Sequence, residues 1–319
     1  MTVVQAAVIA TAVTAVHGAP EPLEILRQSI LARSSVDFSG IRTVVIFEDG
    51  EKVHGVQQKI DCQAPDSLRI VVIEPRSEQG KLCLTTGREQ WDYNPASGRA
   101  VHAKLPPPEQ VVQTRLAELE QLVDRMNMQY VGVDSIAGRP AHVVKVYTIR
   151  GLPVKKSWVD RQYYVELKTQ RFDSHGRVKS SAYYTRIDYS PSFAPDLFEF
   201  QPPADATVIE AGRSTRRMPL EQAEKQAGFE AVLPTHLPSG YHFHRDRTGL
   251  IEVNGQPTIW LSFSNGADTF SLFQRRASGE MEPIRHDRSV TWHDGNYRFT
   301  LMGSLASDEA ARVKASIQP

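Results

Sequence analysis

The chain has 319 residues, of which 40% are hydrophobic and 23% charged, a balance typical of a globular protein that is long enough for two domains. Its 37 basic and 37 acidic residues cancel, and a cut after residue 205 leaves two parts that are each neutral. Without a basic excess the chain lacks the field that attracts phosphate backbones or anionic membrane surfaces, which argues against nucleic acid as a partner.

The first 19 residues, MTVVQAAVIATAVTAVHGA, contain no Lys, Arg, Asp or Glu and end in small residues. This composition is typical of the hydrophobic and cleavage regions of a secretory signal, although the usual basic start is missing. A buried N-terminal helix is the alternative, but the segment lacks the polar face of a surface helix. We therefore predict that residues 1–19 direct export. Beyond them, no apolar run approaches the about 18 residues of a membrane span.

A helix and an antiparallel meander are predicted next. Leu23, Leu26, Ile30 and Leu31 recur at helical intervals, and from Phe38 onward the hydrophobic period changes to two. Turn residues such as Asp, Ser and Gly separate the apolar runs that follow. Further short strands are predicted near 53–62, 68–74, 81–86, 90–94 and 99–103.

A second helix and a second run of sheet follow the proline stop at 106–108. Val112, Leu116, Leu119, Val123 and Met126 have the spacing of one helix face. Sheet is predicted to return with PAHVVKVYTI at 140–149 and to continue to about Tyr189. Within it, DSHG at 173–176 is predicted to be the turn between two long strands.

The Pro-rich stretch at 190–208 is predicted to end the first domain. We expect a first domain at 20–205, an exposed linker at 206–218 and a smaller mixed domain at 219–319. The second domain is predicted to open with a helix at about 220–228 and to close with a helix N-capped by Ser307. Strands are predicted between them at 258–264, 269–274, 289–293 and 296–302.

Two cysteines, Cys62 and Cys83, lie in strand-like runs with another candidate strand between them. In an exported chain they could form one disulfide, and unpaired thiols are the alternative.

The chain contains no recognised catalytic or cofactor motif, and no cofactor is predicted. His236, His242 and His244 are the best metal candidate, because residues 242 and 244 would share one strand face. No acidic residue or cysteine is clearly placed to complete that site, so ordinary surface histidines are favoured and no metal is predicted.

The segment KSWVDRQYYVELKTQRFDSHGRV contains Asp160, Ser174 and His175, the residue types of a hydrolytic triad. Most of the chain between Asp160 and His175 has the pattern of one extended strand, which rises about 3.3 Å per residue. Such a strand would hold the two side chains far apart, so we predict no catalytic residues and no enzyme activity. An unrecognised hydrolase is left as a weak alternative.

The order of several motifs resembles the periplasmic regulators of the sigma-E envelope-stress response, the RseB/MucB family. The motifs are DSIAGRPAHVVKV, WVD and DSHGRV in the first part, and LPTHLPSGYHFHRD, TIWLSFSNGADTFSLFQRR and GNYRFTLMGSLASDEAARVKASI in the second. The resemblance covers about residues 21–318. Two features depart from it: the leader has no basic residues, and the two cysteines have no counterpart in the family pattern.

The resemblance implies an α+β protein: an unclosed antiparallel β-barrel covered by helices, like the LolA and LolB carriers, followed by a smaller mixed α+β domain. It implies a periplasmic protein that binds the periplasmic part of a membrane-anchored anti-sigma factor and senses a lipoprotein or other acylated ligand. A lipoprotein or lipid carrier is the alternative, for which the first domain alone would suffice. The oligomeric state is left open, with a homo-oligomer among the options.

An acyl chain gains about 0.8 kcal/mol per buried CH₂ group, so a greasy groove can hold it without a charged anchor. A curved sheet with helices on its concave face either fills that space with side chains or leaves such a groove. The sequence leaves both open. If a groove exists, we expect it to be lined by aromatic and aliphatic strand residues: Phe47, Leu84, Trp91, Tyr147 and Trp158.

Overall fold

A computed structural model of the chain describes residues 20–173, 175–210, 216–243, 248–253, 256–265, 269–277, 289–303 and 305–318. The signal segment predicted at 1–19 lies outside the described residues. In the described ranges, two β-sheets are accompanied by four helices. The helices are α1 (Pro22–Ala32), α2 (Pro108–Val123), α3 (Leu220–Ala227) and α4 (Ser307–Ala315).

The first sheet has twelve strands in the order β12-β6-β5-β4-β3-β2-β1-β11-β10-β9-β8-β7. Neighbours are antiparallel except β12, which runs parallel to β6. The end strands β12 and β7 do not pair with each other in the described part of the chain, so the sheet is an unclosed barrel, as predicted. The strands are β1 (Phe38–Glu48), β2 (Glu51–Gln63), β3 (Ser67–Glu74), β4 (Leu82–Thr86), β5 (Glu89–Asn94), β6 (Arg99–Lys104), β7 (Met126–Ile136), β8 (Arg139–Thr148), β9 (Pro153–Asp160), β10 (Glu166–Phe172), β11 (Val178–Asp188) and β12 (Thr207–Glu210).

Helix α1 covers one face of this sheet, which we call the helix face. Ile25 packs against Val144 and Val159, and Ala32 packs in the same cluster as Ile60. Burying these apolar residues is what holds the short helix, because a helix of this length is marginal in water on its own. The opposite side is called the outer face. Successive strand residues alternate between the two faces, so each side chain can be assigned from its paired neighbours.

The second sheet has seven strands and its own core. Its order is β13-β15-β16-β17-β19-β18, with β14 paired to β16. Three stacked or tilted aromatic residues, Phe263, Phe270 and Tyr241, pack with residues of α3 and α4 in one cluster. The strands are β13 (Arg216–Arg217), β14 (His242–Phe243), β15 (Gly249–Val253), β16 (Gln256–Ser264), β17 (Thr269–Arg276), β18 (Ser289–Asp294) and β19 (Tyr297–Gly303).

The structure corrects three sequence predictions about local elements. Met126 begins β7 rather than ending the second helix, and the whole of β7 was missed. The extended run after Asp160 is interrupted by a turn at 161–165, held by the Tyr164 N–H, which donates to the Asp160 carbonyl at 3.1 Å. The N-cap of α4 is Ala306, and Ser307 is already inside the helix.

The segment predicted as a linker at 206–218 contributes a strand to each sheet. Thr207–Glu210 forms β12 beside β6, and Arg216–Arg217 forms β13 beside β15. The domain boundaries predicted from the sequence stay predictions.

Candidate binding surfaces

Leu84 and Trp91 are neighbours on the outer face of the first sheet. They are paired across β4 and β5, and the adjacent Cys83 pairs with Ile70 on the helix face. Leu84 is buried. The Trp91 ring stacks on the His102 ring, with 4.3 Å between the two ring centroids. The Trp91 ring also lies 5.6 Å from the ring of Phe200, which belongs to the segment between β11 and β12. This outer-face aromatic patch consists of Leu84, Trp91, His102 and Phe200.

Trp158 lies in a different cluster, with Ala141, Val143 and Leu167. Its side chain is 3% exposed, and its Nε1–H donates to Asp134 Oδ2 at 2.9 Å. This hydrogen bond, with a second from the Ser135 N–H, holds the pKa of Asp134 below its usual value. A buried indole that is packed and hydrogen-bonded has its polar and apolar requirements met within the protein.

Tyr147 and Phe47 complete the predicted groove residues. Tyr147 is half-buried beneath Lys145, whose Nζ is 4.8 Å from the ring centroid, and its hydroxyl donates to Gln129. Phe47 is half-buried near the end of β1. The structure therefore brings Leu84 and Trp91 together and places Tyr147, Trp158 and Phe47 on other strands. Ligand binding by these five residues stays a prediction.

Asp160 is the centre of a buried polar cluster. Its carboxylate is fully buried, bonds to the Arg139 guanidinium, and accepts hydrogen bonds from the N–H groups of Gln162 at 2.8 Å and Tyr163 at 3.0 Å. Tyr189 donates its hydroxyl to the same carboxylate at 3.2 Å. Burial alone would raise the pKa of Asp160, but Arg139 and the two N–H donors outweigh it and hold the pKa below its usual value. Asp160 thus stabilises the β9–β10 turn.

His175 stands at the other end of β10 from Asp160. The seven residues of β10 separate the two by about 23 Å at 3.3 Å per residue. The His175 Nε2 instead lies 3.6 Å from Asp308 Oδ2, so this turn of the first sheet contacts helix α4. Ser174, the third member of the suspected triad, lies outside the described residues. The predicted turn is present, and its contact with α4 had no signal in the sequence.

A cleft of about 660 Å³ lies between the same end of the first sheet and the second sheet. We call it the inter-sheet cleft. The first sheet contributes Arg125, Met126 and the turn Thr148-Ile149-Arg150, and the second contributes Ser239, Gly240, His242 and Asn265. Gly240 has φ +82°, and a Cβ there would lie 3.9 Å from Thr148 Cγ2. The sequence marks the two turns by their Gly residues but gives no indication that they meet.

The described rim of the cleft carries two guanidinium groups, Arg125 and Arg150, against the single carboxylate of Asp124. Burial, followed by the nearby Arg125, lowers the pKa of His242. Ile149 is 71% exposed, the highest fraction among the exposed large hydrophobic side chains of the described residues. An apolar anchor beside two cations suits a peptide that combines apolar and acidic residues.

No group of three or more His, Cys, Asp or Glu side chains that could hold a metal occurs in the described ranges. His236 contacts Glu309 at 3.4 Å, and His244 lies outside the described residues. Cys62 and Cys83 are unpaired thiols. No helix in the described ranges combines the length and the apolar composition of a membrane span.

Sequence comparison links the chain to a regulatory protein. It is 21% identical over 280 residues to the sigma factor AlgU regulatory protein MucB of Pseudomonas aeruginosa, covering 83% of this chain and 81% of MucB. A second relative, the uncharacterised protein MJ0687 of Methanocaldococcus jannaschii, is 21% identical over 119 residues, which are 37% of this chain and 34% of that protein. No protein-family model matches the chain.

Structure comparison leads to the same protein. The crystal structure of MucB in complex with MucA(peri) matches 94% of this chain and 99% of that chain, with a TM-score of 0.59 and 19% identity. The complex structure of Pseudomonas aeruginosa MucA/MucB matches over 93% of this chain and 98% of the chain in that structure, with a TM-score of 0.59 and 18% identity. The resemblance to MucB is confirmed, and the chain shares the fold of MucB through both sheets.

Proposed function

We propose that this chain is a periplasmic envelope-stress regulator that binds the periplasmic part of a membrane-anchored anti-sigma factor. The observation that carries the proposal is similarity to MucB that runs through both sheets, at 83% of this chain by sequence and 94% by structure. MucB itself has been crystallised with MucA(peri). The segment at 1–19, predicted to direct export, supports the periplasmic location.

The inter-sheet cleft is the surface that best suits such a partner. It is formed by both sheets, so a bound segment would bridge them, and Arg125 and Arg150 would attract its acidic residues. Ile149 offers an exposed apolar side chain at the rim, the kind of residue that becomes an anchor when an interface covers it. We therefore place an extended acidic segment of the anti-sigma factor in this cleft.

A pull-down from envelope extract tests the proposal. The mature chain is used as bait, and proteins and lipids are identified by mass spectrometry. Recovery of one single-span membrane protein supports the regulator, and recovery of lipoproteins alone supports the alternative of a carrier. Ile149→Asp should lower recovery of the membrane protein at least tenfold. Val208→Asp on β12, at the far edge of the sheet and 45% exposed, is the matched control and should leave it unchanged.

Sensing of an acylated ligand is the second part of the proposal. Trp91, which pairs with Leu84 across β4 and β5, lies 5.6 Å from the Phe200 ring. Moving the segment that carries Phe200 aside would open an apolar strip over Leu84 and Trp91. Ten CH₂ groups buried there would contribute about 8 kcal/mol before ordering costs. A fluorescent fatty acid should bind saturably, and Trp91→Glu should weaken it at least tenfold. Binding that is unaffected by Trp91→Glu would remove this patch from the proposal without touching partner binding.

A further inference from the structure

The second sheet contains a cavity of about 220 Å³ on the side opposite its aromatic core. Gln274 and Phe299 face the core, so the adjacent Arg275 and Arg298 point to the other side. Both arginines line the cavity, together with apolar side chains from β15, β17 and β19 that include Ile251, Phe273 and Met302. The cavity therefore combines two guanidinium groups with an apolar wall.

The two arginines are directly opposite each other in the β17–β19 register, and each is 5% exposed. Like charges in directly opposed positions destabilise a sheet, and a guanidinium remains charged in a protein. Burial and the nearby Arg298 lower the pKa of Arg275, which shows the same unfavourable environment for positive charge. At Arg275 the structure places a buried cation where an isolated sheet would gain from an apolar residue.

Arg275 is poorly compensated in the described part of the chain. Its Nη1 donates to the Val253 carbonyl at 3.4 Å, and no described carboxylate lies within ion-pair distance of it. A buried guanidinium has five N–H donors in a planar fork that matches a carboxylate. Removing such a cation from water costs several kcal/mol unless an anion compensates it.

We propose that this cavity is a binding site for a small carboxylate with an apolar body. The carboxylate would pair with the Arg275 guanidinium, beside Arg298, and the apolar body would lie against Ile251, Phe273 and Met302. A volume of about 220 Å³ equals the share of about seven water molecules in liquid, so the site takes a small group rather than a whole acyl chain. A short free acid and the C-terminal residue of a peptide both present this chemistry. The site is independent of the proposed partner binding.

Binding is measured by isothermal titration of the full chain with four probes at equal ionic strength. Hexanoate carries both features, acetate only the charge, and hexanol only the apolar body. N-Acetylleucine represents a peptide C-terminus. Hexanoate or N-acetylleucine should bind at least tenfold more tightly than acetate and hexanol, and the better of the two identifies the source. Equal affinity for hexanoate and hexanol would overturn the proposal, with no variant needed.

Arg275→Met provides the second test. It removes one cation and keeps a long side chain, so it should weaken carboxylate binding at least tenfold while leaving the ligand-free protein as stable or more stable. Arg276→Met, the exposed neighbour on the other side of the strand, is the matched control and should change binding less than twofold. If Arg275→Met lowers the thermal midpoint of the ligand-free protein, or leaves hexanoate binding intact, Arg275 is a structural residue and the proposal fails.

Discussion

Asp160 offers the sharpest stability test, because replacing it with Ala leaves several partners unsatisfied at once. The Arg139 guanidinium loses its buried counter-ion, and the N–H groups of Gln162 and Tyr163 lose their acceptor. Breaking a buried ion pair from one side costs about 3–5 kcal/mol. Arg139 is 26% exposed and is partly rehydrated, so we expect the low end, about 3 kcal/mol.

Urea unfolding followed by pulsed hydrogen exchange and mass spectrometry of β9 to β11 measures this loss for the first sheet alone. If the free energy of unfolding falls by about 2–3 kcal/mol per molar urea, the urea midpoint of Asp160→Ala should be about 1–1.5 M lower than that of the wild type. Asp160→Asn keeps an acceptor and should lose less. The exposed Asp196 provides the control, and Asp196→Ala should leave the midpoint nearly unchanged. An Asp160→Ala midpoint equal to that of the control would refute the reasoning.

The sign of the pH dependence follows from the lowered pKa of Asp160. A carboxyl group with a pKa that is lower in the folded than in the unfolded state contributes stability above its unfolded pKa of about 3.9. That contribution is lost as the pH falls through the folded pKa. The difference between wild type and Asp160→Asn should therefore be full at pH 7 and shrink below about pH 4.

Three further predictions concern other parts of the chain. Burial raises the pKa of Cys83 from 9.0 to about 12, so its thiolate fraction at pH 8 falls about a thousandfold. A thiol reagent should therefore label Cys83 rapidly only after denaturation. Fast labelling of the native protein at Cys83 would contradict this. The hydrogen bond to Glu210 raises the pKa of His102. The stability that this pair contributes to the β6–β12 pairing is therefore present at low pH and is lost as the pH rises through the raised pKa. Glu210→Gln should lower the pKa of His102 measured by NMR, and an unchanged pKa would count against the pairing. Gly303 has φ +145°, and a Cβ there would lie 2.7 Å from the Phe270 Cα. Gly303→Ala should therefore destabilise the second sheet by about 2–4 kcal/mol, whereas Gly98→Ala, at a position with open space around it, should cost about 1 kcal/mol. Similar shifts of the thermal midpoint in the two variants would be inconsistent with this.

The spacing of hydrophobic residues and the positions of turn residues predicted most of the helices and strands. Alternating runs located β2 to β6 and β16 to β19, and the 3.6-residue spacing located α1 and α2. Strand β7 was missed because Met126 extends the helical spacing of α2 by one more step, and only tertiary pairing with β8 decides for a strand. The β9–β10 turn was missed because the turn lacks Gly and Pro, and Asp160 supplies the hydrogen bonds that hold it.

The candidate sites were harder to predict than the elements. The sequence identified the aromatic residues but could not assign their neighbours, because strand order is set by long-range pairing: Leu84 and Trp91 meet, whereas Trp158 lies in another cluster. The inter-sheet cleft depends on two turns, one at Thr148 and one at Gly240, that are about 90 residues apart in the sequence. No local sequence pattern predicts that these turns meet. The buried pair Arg275 and Arg298 is likewise visible only once β17 and β19 are in register.

A titration with the periplasmic part of the anti-sigma factor tests most directly whether this chain binds that protein. The partner is the single-span membrane protein recovered with the mature chain, expressed without its membrane span. Calorimetry should show saturable binding that Ile149→Asp weakens at least tenfold and Val208→Asp leaves unchanged. Absence of binding at concentrations up to about 100 μM, which corresponds to a binding free energy of about −5.5 kcal/mol, would contradict the proposed role as a binding protein for an anti-sigma factor.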